Sequence, residues 1–320
     1  MRPSQSRPDL IQRIQAARRA LVLGIGGGGD VVGALAVARL CQSLGPEVTL
    51  GGVAWERFAI DPTPGPRPME QIHCAEPLGE RAALAGPETA TLDGIAFAEA
   101  GVADHLGART VLIDLTRGTI GAASGIAAAM ERLDCDLLLG VDVGGDVLGR
   151  GDEEGLASPL CDAVMVAAML GAAPEGSPLL AVIGPGCDGE LATAQVLDRI
   201  AELGRAGAWL GSWGVSLEIA GELEQTAERV PTEASLQVAR CARGETGVVP
   251  IRGGLRQVEL GPVGALAFFF DLVKAVDDLP LARAVSGSES IDQARDAIAE
   301  LGIRTELDYE RDRAAKAERR

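Results

Sequence analysis

Acidic side chains recur beside glycines at several places where an apolar run of this sequence ends. Carboxylate oxygens at strand ends can chelate Mg²⁺ or Ca²⁺, or they can grip the hydroxyls of a sugar. We therefore predict a metal or sugar site in which one carboxylate is the base that activates water. The predicted metal ligands are Asp30, Asp114, Asp142 and Asp146, and the candidate catalytic base is Asp146 or Asp30.

Two of these acidic turns favour a ligand site over simple helix capping. Residues 142–146 (DVGGD) follow the apolar run LLLGV, and residues 184–190 (GPGCDGE) follow LLAVI. A surface cap needs one acidic or hydroxyl side chain, whereas paired glycines permit a close backbone approach to a ligand. The predicted substrate contacts in these turns are Gly144, Gly145, Gly186, Asp188 and Glu190.

Residues 21–33 (LVLGIGGGGDVVG) predict a strand, a glycine turn and a helix that opens at Asp30. Free backbone N–H groups and the helix dipole make such a turn an anion site. Gly24, Gly26 and Gly29 fit the G-x-G-x-x-G spacing of dinucleotide folds, although four successive glycines satisfy many patterns. Asp30 either caps the helix or repels a phosphate unless a cation or sugar hydroxyl intervenes. The predicted anion contacts are Gly26, Gly27, Gly28 and Gly29.

Two other segments carry side chains that suit a phosphorylated ligand. Trp55 and Glu56 follow the second predicted strand, where an indole can stack on a base and a carboxylate can hold ribose hydroxyls. Arg117 can clamp a phosphate beside a helix N-terminus, or it can pair with Asp114. The predicted contacts here are Trp55, Glu56, Arg57, Arg117 and Gly118.

The elements that position these residues alternate between strands and helices. Apolar strands followed by helices predict an α/β fold with an open doubly wound, mostly parallel (Rossmann-like) sheet, whose turns meet at one sheet edge. We predict a single domain over residues 1–320. It has a sheet core at about 20–214, an α+β elaboration at about 215–308 and a charged, solvated tail at 309–320.

Composition excludes several classes of function. The formal net charge of -17 argues against nucleic acid and anionic membranes as partners. The sequence contains no 18-residue apolar stretch, so we expect a cytoplasmic protein. The six cysteines include no C-x-x-C pair, which disfavours zinc. No lysine precedes Lys274, which excludes a P-loop kinase on the N-terminal sheet.

Five motifs occur together in the chain: GIGGGGDVVGA (24–34), WER with DPTPGPRP (55–68), IDLTRG (113–118), DVGGDVLGRGDEEGLASPLCDA (142–163) and GPGCDGEL (184–191). As a set they resemble the prokaryotic domain-of-unknown-function family DUF1152, from about residue 15 to about residue 310. The resemblance implies one common site for these turns and no particular activity. The spacing of Asp142 and Asp146 is also similar to the calcium site of nucleoside hydrolases, without that motif's doubled aspartate.

The residues favour an enzyme that acts on a nucleotide, nucleoside or sugar phosphate. We expect hydrolysis or group transfer at a glycosidic or phosphate bond, assisted by Mg²⁺ or Ca²⁺. One alternative is an oxidoreductase with NAD(P) in the glycine turn, and another is a noncatalytic nucleotide sensor. The predicted partner is a small phosphorylated or hydroxyl-rich ligand, with a homo-oligomer as a further possibility.

Overall fold

A nine-stranded sheet forms the centre of the computed structural model, which describes residues 9–173, 176–317 and 319. In chain order the strands are β1 (Arg19–Gly24), β2 (Glu47–Val53), β3 (Ile72–Pro77), β4 (Ala82–Thr91), β5 (Thr110–Ile113), β6 (Leu137–Val143), β7 (Leu179–Ile183), β8 (Trp209–Gly214), β9 (Gly247–Ile251), β10 (Arg256–Leu260) and β11 (Leu266–Asp271). The order across the sheet is β3-β4-β5-β2-β1-β6-β7-β11-β8, and β9 pairs with β10 in a separate antiparallel hairpin.

The five central strands, β5, β2, β1, β6 and β7, are parallel. Their sequences are nearly continuous apolar runs because helices cover both faces of the sheet. Every residue of β5, β6 and β7 is buried. Antiparallel strands extend the sheet on both sides. The predicted α/β fold with a mostly parallel sheet is confirmed.

Helices form a layer on each face of this sheet. They are α1 (Leu10–Ala16), α2 (Asp30–Leu44), α3 (Ala98–Leu106), α4 (Gly118–Arg132), α5 (Pro159–Ala172), α6 (Thr193–Arg205), α7 (Leu217–Ala227), α8 (Ala234–Ala242), α9 (Leu272–Ala275), α10 (Pro280–Ala284), α11 (Ile291–Ala299) and α12 (Glu306–Ala317). Successive residues of β1 pack into two different hydrophobic cores, one on each face of the sheet. Leu21 packs in the cluster that includes α4 and α5, and Val22 packs in the cluster that includes α2 and α8. Within the described ranges, no helix is long and apolar enough to cross a bilayer.

The chain changes direction across the sheet between β1 and β6. From β1 it adds β2 and then β5 on one side, and it returns to place β6 on the other side of β1. Open α/β sheets bind ligands in the crevice that such a switch leaves at the carboxyl ends of the strands. Asp30, which begins α2 after β1, and Asp142, near the end of β6, both lie at this crevice.

The central elements agree with the sequence prediction to within a few residues. The predicted strands at 20–23, 48–54, 110–115, 137–141 and 179–183 correspond to β1, β2, β5, β6 and β7. The predicted helices after β1, β5, β6 and β7 correspond to α2, α4, α5 and α6. The alternation of apolar strands and helices was thus sufficient to locate the parallel strands along the chain.

Three parts of the chain differ from the prediction. Residues 72–91 form β3 and β4, although no alternation of polar and apolar residues marks them. The main sheet also takes β11 from the predicted C-terminal elaboration. The tail after Asp308 was expected to be solvated, but it continues α12 to Ala317 and buries Glu310. Two residues of that tail, Glu318 and Arg320, lie outside the described residues.

Candidate metal and substrate site

Six buried carboxylates gather in two adjoining groups at the crevice between β1 and β6. The first group is Asp30, Asp142 and Asp162, and the second group is Asp146, Asp188 and Glu190. Within each group, one oxygen of every carboxylate lies within 4.8 Å of an oxygen of each of the other two. Oxygen atoms that surround a Ca²⁺ or Mg²⁺ ion are about this far apart, since each lies roughly 2.0 to 2.6 Å from the ion.

Three separate elements bring the first group together. Asp30 is the first residue of α2, Asp142 lies in β6, and Asp162 lies in the first turn of α5. The backbone N–H of Gly26 donates to Asp30 Oδ2 at 3.1 Å. The glycine turn therefore binds its own aspartate at the place where a dinucleotide fold would bind a phosphate.

The second group is held by hydrogen bonds from two sides. Asp146 follows β6, and Asp188 and Glu190 lie in the loop after β7. Glu190 accepts from the backbone N–H of Ser158 at 2.9 Å and from Arg256 Nη1 at 2.9 Å. The hydroxyl of Ser158 contacts Glu190 and lies 3.4 Å from Asp146 Oδ2. Asp142 lies near the end of β6 and Asp146 follows the same strand, so the two groups lie next to each other.

Two glycines allow these carboxylates to pack against the backbone. A Cβ atom on Gly26 would lie 2.5 Å from Asp30 Oδ2 and 3.2 Å from Asp162 Oδ2. A Cβ atom on Gly144 would lie 2.3 Å from Asp188 Cγ. The glycines therefore make room for the acidic side chains, which explains why glycine and acid recur together in the sequence.

Four oxygens of these groups have no hydrogen-bond partner among the described residues. They are Oδ1 and Oδ2 of Asp142, Oδ1 of Asp162 and Oδ1 of Asp188. Asp142 is only 1% exposed, so its carboxylate is shielded from bulk solvent. An unpartnered buried carboxylate costs roughly several kcal/mol, and a protein relieves this cost with a proton or a cation. Each group thus offers free ligand atoms for a metal ion.

The pKa values show the same excess of buried negative charge. Burial raises the pKa of Asp30 to about 6, although Arg57 opposes the rise. Burial, and then the charge of Glu190, raises the pKa of Asp188 to about 7. The pKa of Asp142 lies well above its ordinary value because of burial and because of its acidic neighbours Asp30 and Asp188. A divalent cation between these groups would favour their ionised forms.

A cavity of about 720 Å³ opens beside the two groups. Asp30, Asp188 and Glu190 line this cavity. The other three carboxylates lie behind its wall. The cavity is large enough for a small phosphorylated molecule, since ligand pockets typically measure about 300 to 1,000 Å³.

Three arginines line the cavity close to the carboxylates. Arg57 follows β2, Arg252 lies at the tip of the β9–β10 hairpin, and Arg256 begins β10. Burial lowers the pKa of Arg252, and the charges of Arg57 and Arg256 lower it further. Within the described part of the chain, neither Arg57 nor Arg252 forms a salt bridge, whereas Arg256 pairs with Glu190. Guanidinium groups that repel one another at a cavity wall are suited to an anionic ligand.

Helix α12 forms another wall of the cavity with one face. The cavity-lining residues of this face are Glu306, Tyr309, Glu310, Arg313 and Lys316. Glu306 accepts from two backbone N–H groups at the start of α5, at 2.7 and 3.0 Å. Glu310 accepts from the backbone N–H of Gly65 at 2.8 Å. These buried anchors fix the helix over the site.

The structure places three predicted site residues elsewhere, and we remove them from the candidate site. Asp114, Arg117 and Gly118 follow β5, which is separated from β1 by β2, and neighbouring strands lie about 4.8 Å apart. Asp114 accepts from Arg81 Nη1 at 2.9 Å. Gly118 packs on Ser288, whose carbonyl oxygen would lie 2.7 Å from an added Cβ.

The predicted residues after β2 take three different positions. Trp55 is buried and its Nε1 donates to Glu310 Oε2 at 3.2 Å, so the indole lies behind the cavity wall. Glu56 lines the cavity, but its Oε1 accepts from the backbone N–H of Ala98 at 2.6 Å. Arg57 lines the cavity and forms no salt bridge within 4.0 Å among the described residues, but the charges of Asp30 and Glu190 raise its pKa against the effect of burial.

Most of the predicted glycine contacts serve packing. Gly28 and Gly29 line the cavity. The others face protein atoms, with Gly27 against the carbonyl of Trp55, Gly145 against Val196 and Gly186 against Thr193.

Apart from helix α12, the sequence analysis missed four polar residues that lie in or beside the carboxylate groups. Asp162 and Ser158 lie in the 142–163 motif, where the start of a helix is an ordinary reason for serine and aspartate. Arg252 and Arg256 lie far along the chain, and no spacing connects them with the acidic turns. The run Arg-Gly-Gly at 252–254 was the available signal, since arginine before two glycines suits a turn that approaches an anion.

The sheet and its switch-point crevice define an α/β protein with two buried carboxylate groups at the carboxyl ends of parallel strands. Residues 21–314 match the family described as Protein of unknown function (DUF1152), and the chain belongs to that family. The resemblance found from the five motifs is thereby confirmed. No curated protein and no solved structure matches the chain.

Proposed function

We propose that this protein is a metal-dependent enzyme that hydrolyses or transfers a phosphoryl group of a small phosphorylated molecule. The pair of adjoining carboxylate groups with unpartnered buried oxygens carries the proposal. Two neighbouring sets of oxygen ligands suit a pair of divalent ions, as in many enzymes that cleave phosphate bonds. The arginines beside the groups support a phosphorylated ligand over a neutral sugar.

Two divalent ions in these groups would supply a water of lowered pKa and would offset the charge of the phosphoryl oxygens. The chain itself supplies the base and the anion contacts. Asp30 is the member of the first group that lines the cavity, so a carboxylate oxygen that does not bind metal can accept a proton from water there. Arg57 and Arg252 donate to phosphoryl oxygens and hold the substrate in line.

The two candidate bases, Asp30 and Asp146, have different roles because Asp30 lines the cavity and Asp146 does not. Asp146 does not line the cavity, and it lies against Ser158 and the other members of the second group. We therefore assign Asp146 to metal binding and Asp30 to proton transfer. Ser158 positions Glu190 through both its hydroxyl and its backbone N–H.

The geometry does not favour a nicotinamide dinucleotide in the glycine turn. Its pyrophosphate would need the N–H of Gly26, which already binds Asp30. The ribose would need Glu56, whose carboxylate is bound to the start of α3.

A panel of phosphate compounds tests the proposed function. The purified chain is freed of metal with a chelator and incubated with nucleotides, sugar phosphates and p-nitrophenyl phosphate, with and without Mg²⁺ or Mn²⁺. We expect release of inorganic phosphate only with metal, loss of that activity in Asp30→Asn, and retention in the matched buried variant Asp114→Asn. Binding without turnover would support the noncatalytic sensor instead, and full activity after chelation would remove the metal from the proposal.

The partners, location and assembly expected from the sequence remain predictions. The net charge of -17 supports a small ligand over nucleic acid or an anionic membrane. A cytoplasmic location and a homo-oligomer are the corresponding expectations, and light scattering of the purified chain would give its oligomeric state.

A further inference from the structure

We propose that part of the same cavity binds the base of a nucleoside phosphate. This inference rests on the proposed function, because it narrows the phosphorylated substrate to a nucleotide. It comes from cavity side chains that take no part in the carboxylate groups, namely Phe58, Ile60, Leu255 and Tyr309.

Exposed apolar side chains from three separate segments line this cavity. Ile60 follows β2 and is 42% exposed, Leu255 lies at the tip of the β9–β10 hairpin and is 83% exposed, and Tyr309 on α12 is 40% exposed. A single exposed apolar side chain is ordinary on a protein surface. Several of them at one cavity that also holds charged groups are typical of a ligand site.

Tyr309 supplies the flat surface that a base requires. It is the only tyrosine of the chain, in which aromatic residues make up 3%. The guanidinium carbon of Arg304 lies 4.6 Å from the centre of its ring, and Arg304 also lines the cavity. A phenol ring with a guanidinium group over one face can offer its other face to a nucleobase.

Helix α12 sets the separation between this surface and the carboxylates. Glu306, the first residue of α12, lies close enough to the first group for its charge to raise the pKa of Asp162. Tyr309 follows on the same face, roughly 4.5 Å further along the helix axis. Arg313 and Lys316 continue this face and are exposed. The face therefore runs from the buried carboxylates to exposed side chains, and a nucleotide along it would place its phosphate near the carboxylates and its base near Tyr309.

A sugar phosphate without a base is the competing ligand. Its phosphate would bind to the arginines and to metal in the two carboxylate groups, but Leu255 and Tyr309 would remain in contact with water. A nucleoside phosphate uses both parts of the cavity, so the difference in affinity between the two ligands measures the contribution of the apolar part.

Calorimetric titration of the full chain with AMP, UMP and ribose 5-phosphate, in the presence of Mg²⁺, tests the inference. Inorganic phosphate is assayed in the same samples so that heat from turnover is recognised. We expect both nucleotides to bind at least about tenfold more tightly than ribose 5-phosphate. Tyr309→Ala should remove this preference and leave the affinity for ribose 5-phosphate unchanged, whereas Tyr309→Phe should keep it.

Leu255→Ala provides a second variant on a different element, and it should weaken nucleotide binding in the same direction. Leu92→Ala is the matched control, because Leu92 is 68% exposed and does not line the cavity. Equal affinity of the wild-type chain for all three compounds would overturn the base subsite and leave the proposed function intact. If none of the three binds, the proposed function falls together with the subsite.

Discussion

Neither buried carboxylate oxygen of Asp142 has a donor within hydrogen-bonding distance and angle among the described residues, and the charges that raise its pKa most are those of Asp30 and Asp188. Such a group must hold a proton or face a cation. The same choice applies to Asp162 and Asp188, each of which has one unpartnered oxygen. Metal binding to this site is therefore coupled to the release of protons and to folding stability.

We expect Asp142→Asn to stabilise the metal-free protein and to weaken metal binding. The substitution removes a buried charge and leaves a side chain of nearly the same shape. The melting temperature of the metal-free protein should therefore rise at pH 8. The increase in melting temperature that Mg²⁺ or Mn²⁺ produces in the wild type should fall sharply. Differential scanning fluorimetry with and without metal measures both effects.

Asp114→Asn is the matched control for that experiment. Asp114 is equally buried but is paired with Arg81, so its loss should lower the melting temperature and leave the response to metal unchanged. Equal metal responses in wild type and Asp142→Asn would contradict the assignment of Asp142 as a ligand.

Gly26→Ala tests the close packing of the first group. The added methyl group would displace the carboxylates of Asp30 and Asp162, because it would lie 2.5 and 3.2 Å from their oxygens. We expect metal affinity to fall about tenfold or more, which is the usual effect of disturbing ligand orientation. Gly86→Ala is the control, since a Cβ there meets no atom within 4 Å, and it should bind metal like the wild type. Normal metal affinity in Gly26→Ala, measured by titration calorimetry, would show that the turn tolerates a side chain.

At the scale of single residues, the sequence identified five of the six grouped carboxylates. Asp30, Asp142, Asp146, Asp188 and Glu190 stand beside glycines after apolar runs, and this local pattern reflects the packing of acid against glycine. Asp162 has no such pattern. It lies in the first turn of α5, where helix-dipole stabilisation explains an aspartate equally well.

The β9–β10 hairpin is the element that brings positive charge to an acidic site. Arg252 at its tip adopts a left-handed conformation with φ 51°, followed by Gly253 and Gly254 with φ 65° and 88°. A side chain with positive φ is uncommon and costs of the order of 1 kcal/mol, and Arg252 is the cavity-lining residue among the three non-glycine residues described with such a φ.

Arg252→Asn separates charge from conformation, because asparagine tolerates the left-handed region. We expect the free energy of unfolding to change by less than about 1 kcal/mol. Affinity for AMP in the presence of Mg²⁺ should fall about tenfold, as expected for the loss of a charge-assisted hydrogen bond. Calorimetric titration measures this affinity.

Arg109→Asn is the control for the hairpin variant, since Arg109 is exposed, pairs with Glu76 and does not line the cavity. It should bind AMP like the wild type. An unchanged AMP affinity in Arg252→Asn would remove the hairpin from the substrate site.

At the scale of elements, the turns at the carboxyl ends of the parallel strands were predictable from the sequence. Helix α12 was not recognised as part of the site. The sequence after Asp308 is rich in charge, which is typical of a solvated tail. Its buried glutamates are satisfied by partners far along the chain, including the indole N–H of Trp55 and the backbone of α5. Such long-range hydrogen bonds leave no local pattern in a sequence.

For the whole molecule, the buried acids determine how stability depends on pH. Burial is the largest cause that raises the pKa values of Glu56, Glu306 and Asp188 to about 7 and that of Asp30 to about 6. In the unfolded chain these groups ionise near their ordinary values, so between about pH 4 and about pH 7 the folded state holds more protons. Their contribution to stability therefore falls as the pH rises through this window.

We expect the stabilising effect of Mg²⁺ or Mn²⁺ to grow as the pH rises from 5 to 8. At low pH, protons occupy the carboxylates and compete with the metal, whereas at high pH the metal-free protein carries the full repulsion of the buried charges. Melting temperatures measured in chelator and in metal across this range test the prediction. A metal effect that is constant or that shrinks with rising pH would contradict it.

The topology explains why the acidic turns divide into those that meet and those that do not. The sequence predicted that the turns after β1, β5, β6 and β7 share one sheet edge, but it did not give the order of strands across the sheet. In the observed order, β2 separates β5 from β1, which removes Asp114, while β6 and β7 follow directly. Strand order depends on contacts between distant parts of the chain, so it could not be obtained from the motifs alone.

The number of metal ions bound by each chain tests the central claim most directly. The chain is loaded with Mn²⁺, dialysed and analysed by elemental analysis and by electron paramagnetic resonance, which detects a coupled pair. The two carboxylate groups predict two Mn²⁺ ions per chain with magnetic coupling in wild type and in Asp114→Asn, and loss of the pair in Asp142→Asn and Asp188→Asn. A wild-type chain that retains no Mn²⁺, or variants that retain as much as the wild type, would contradict a metal centre in these groups.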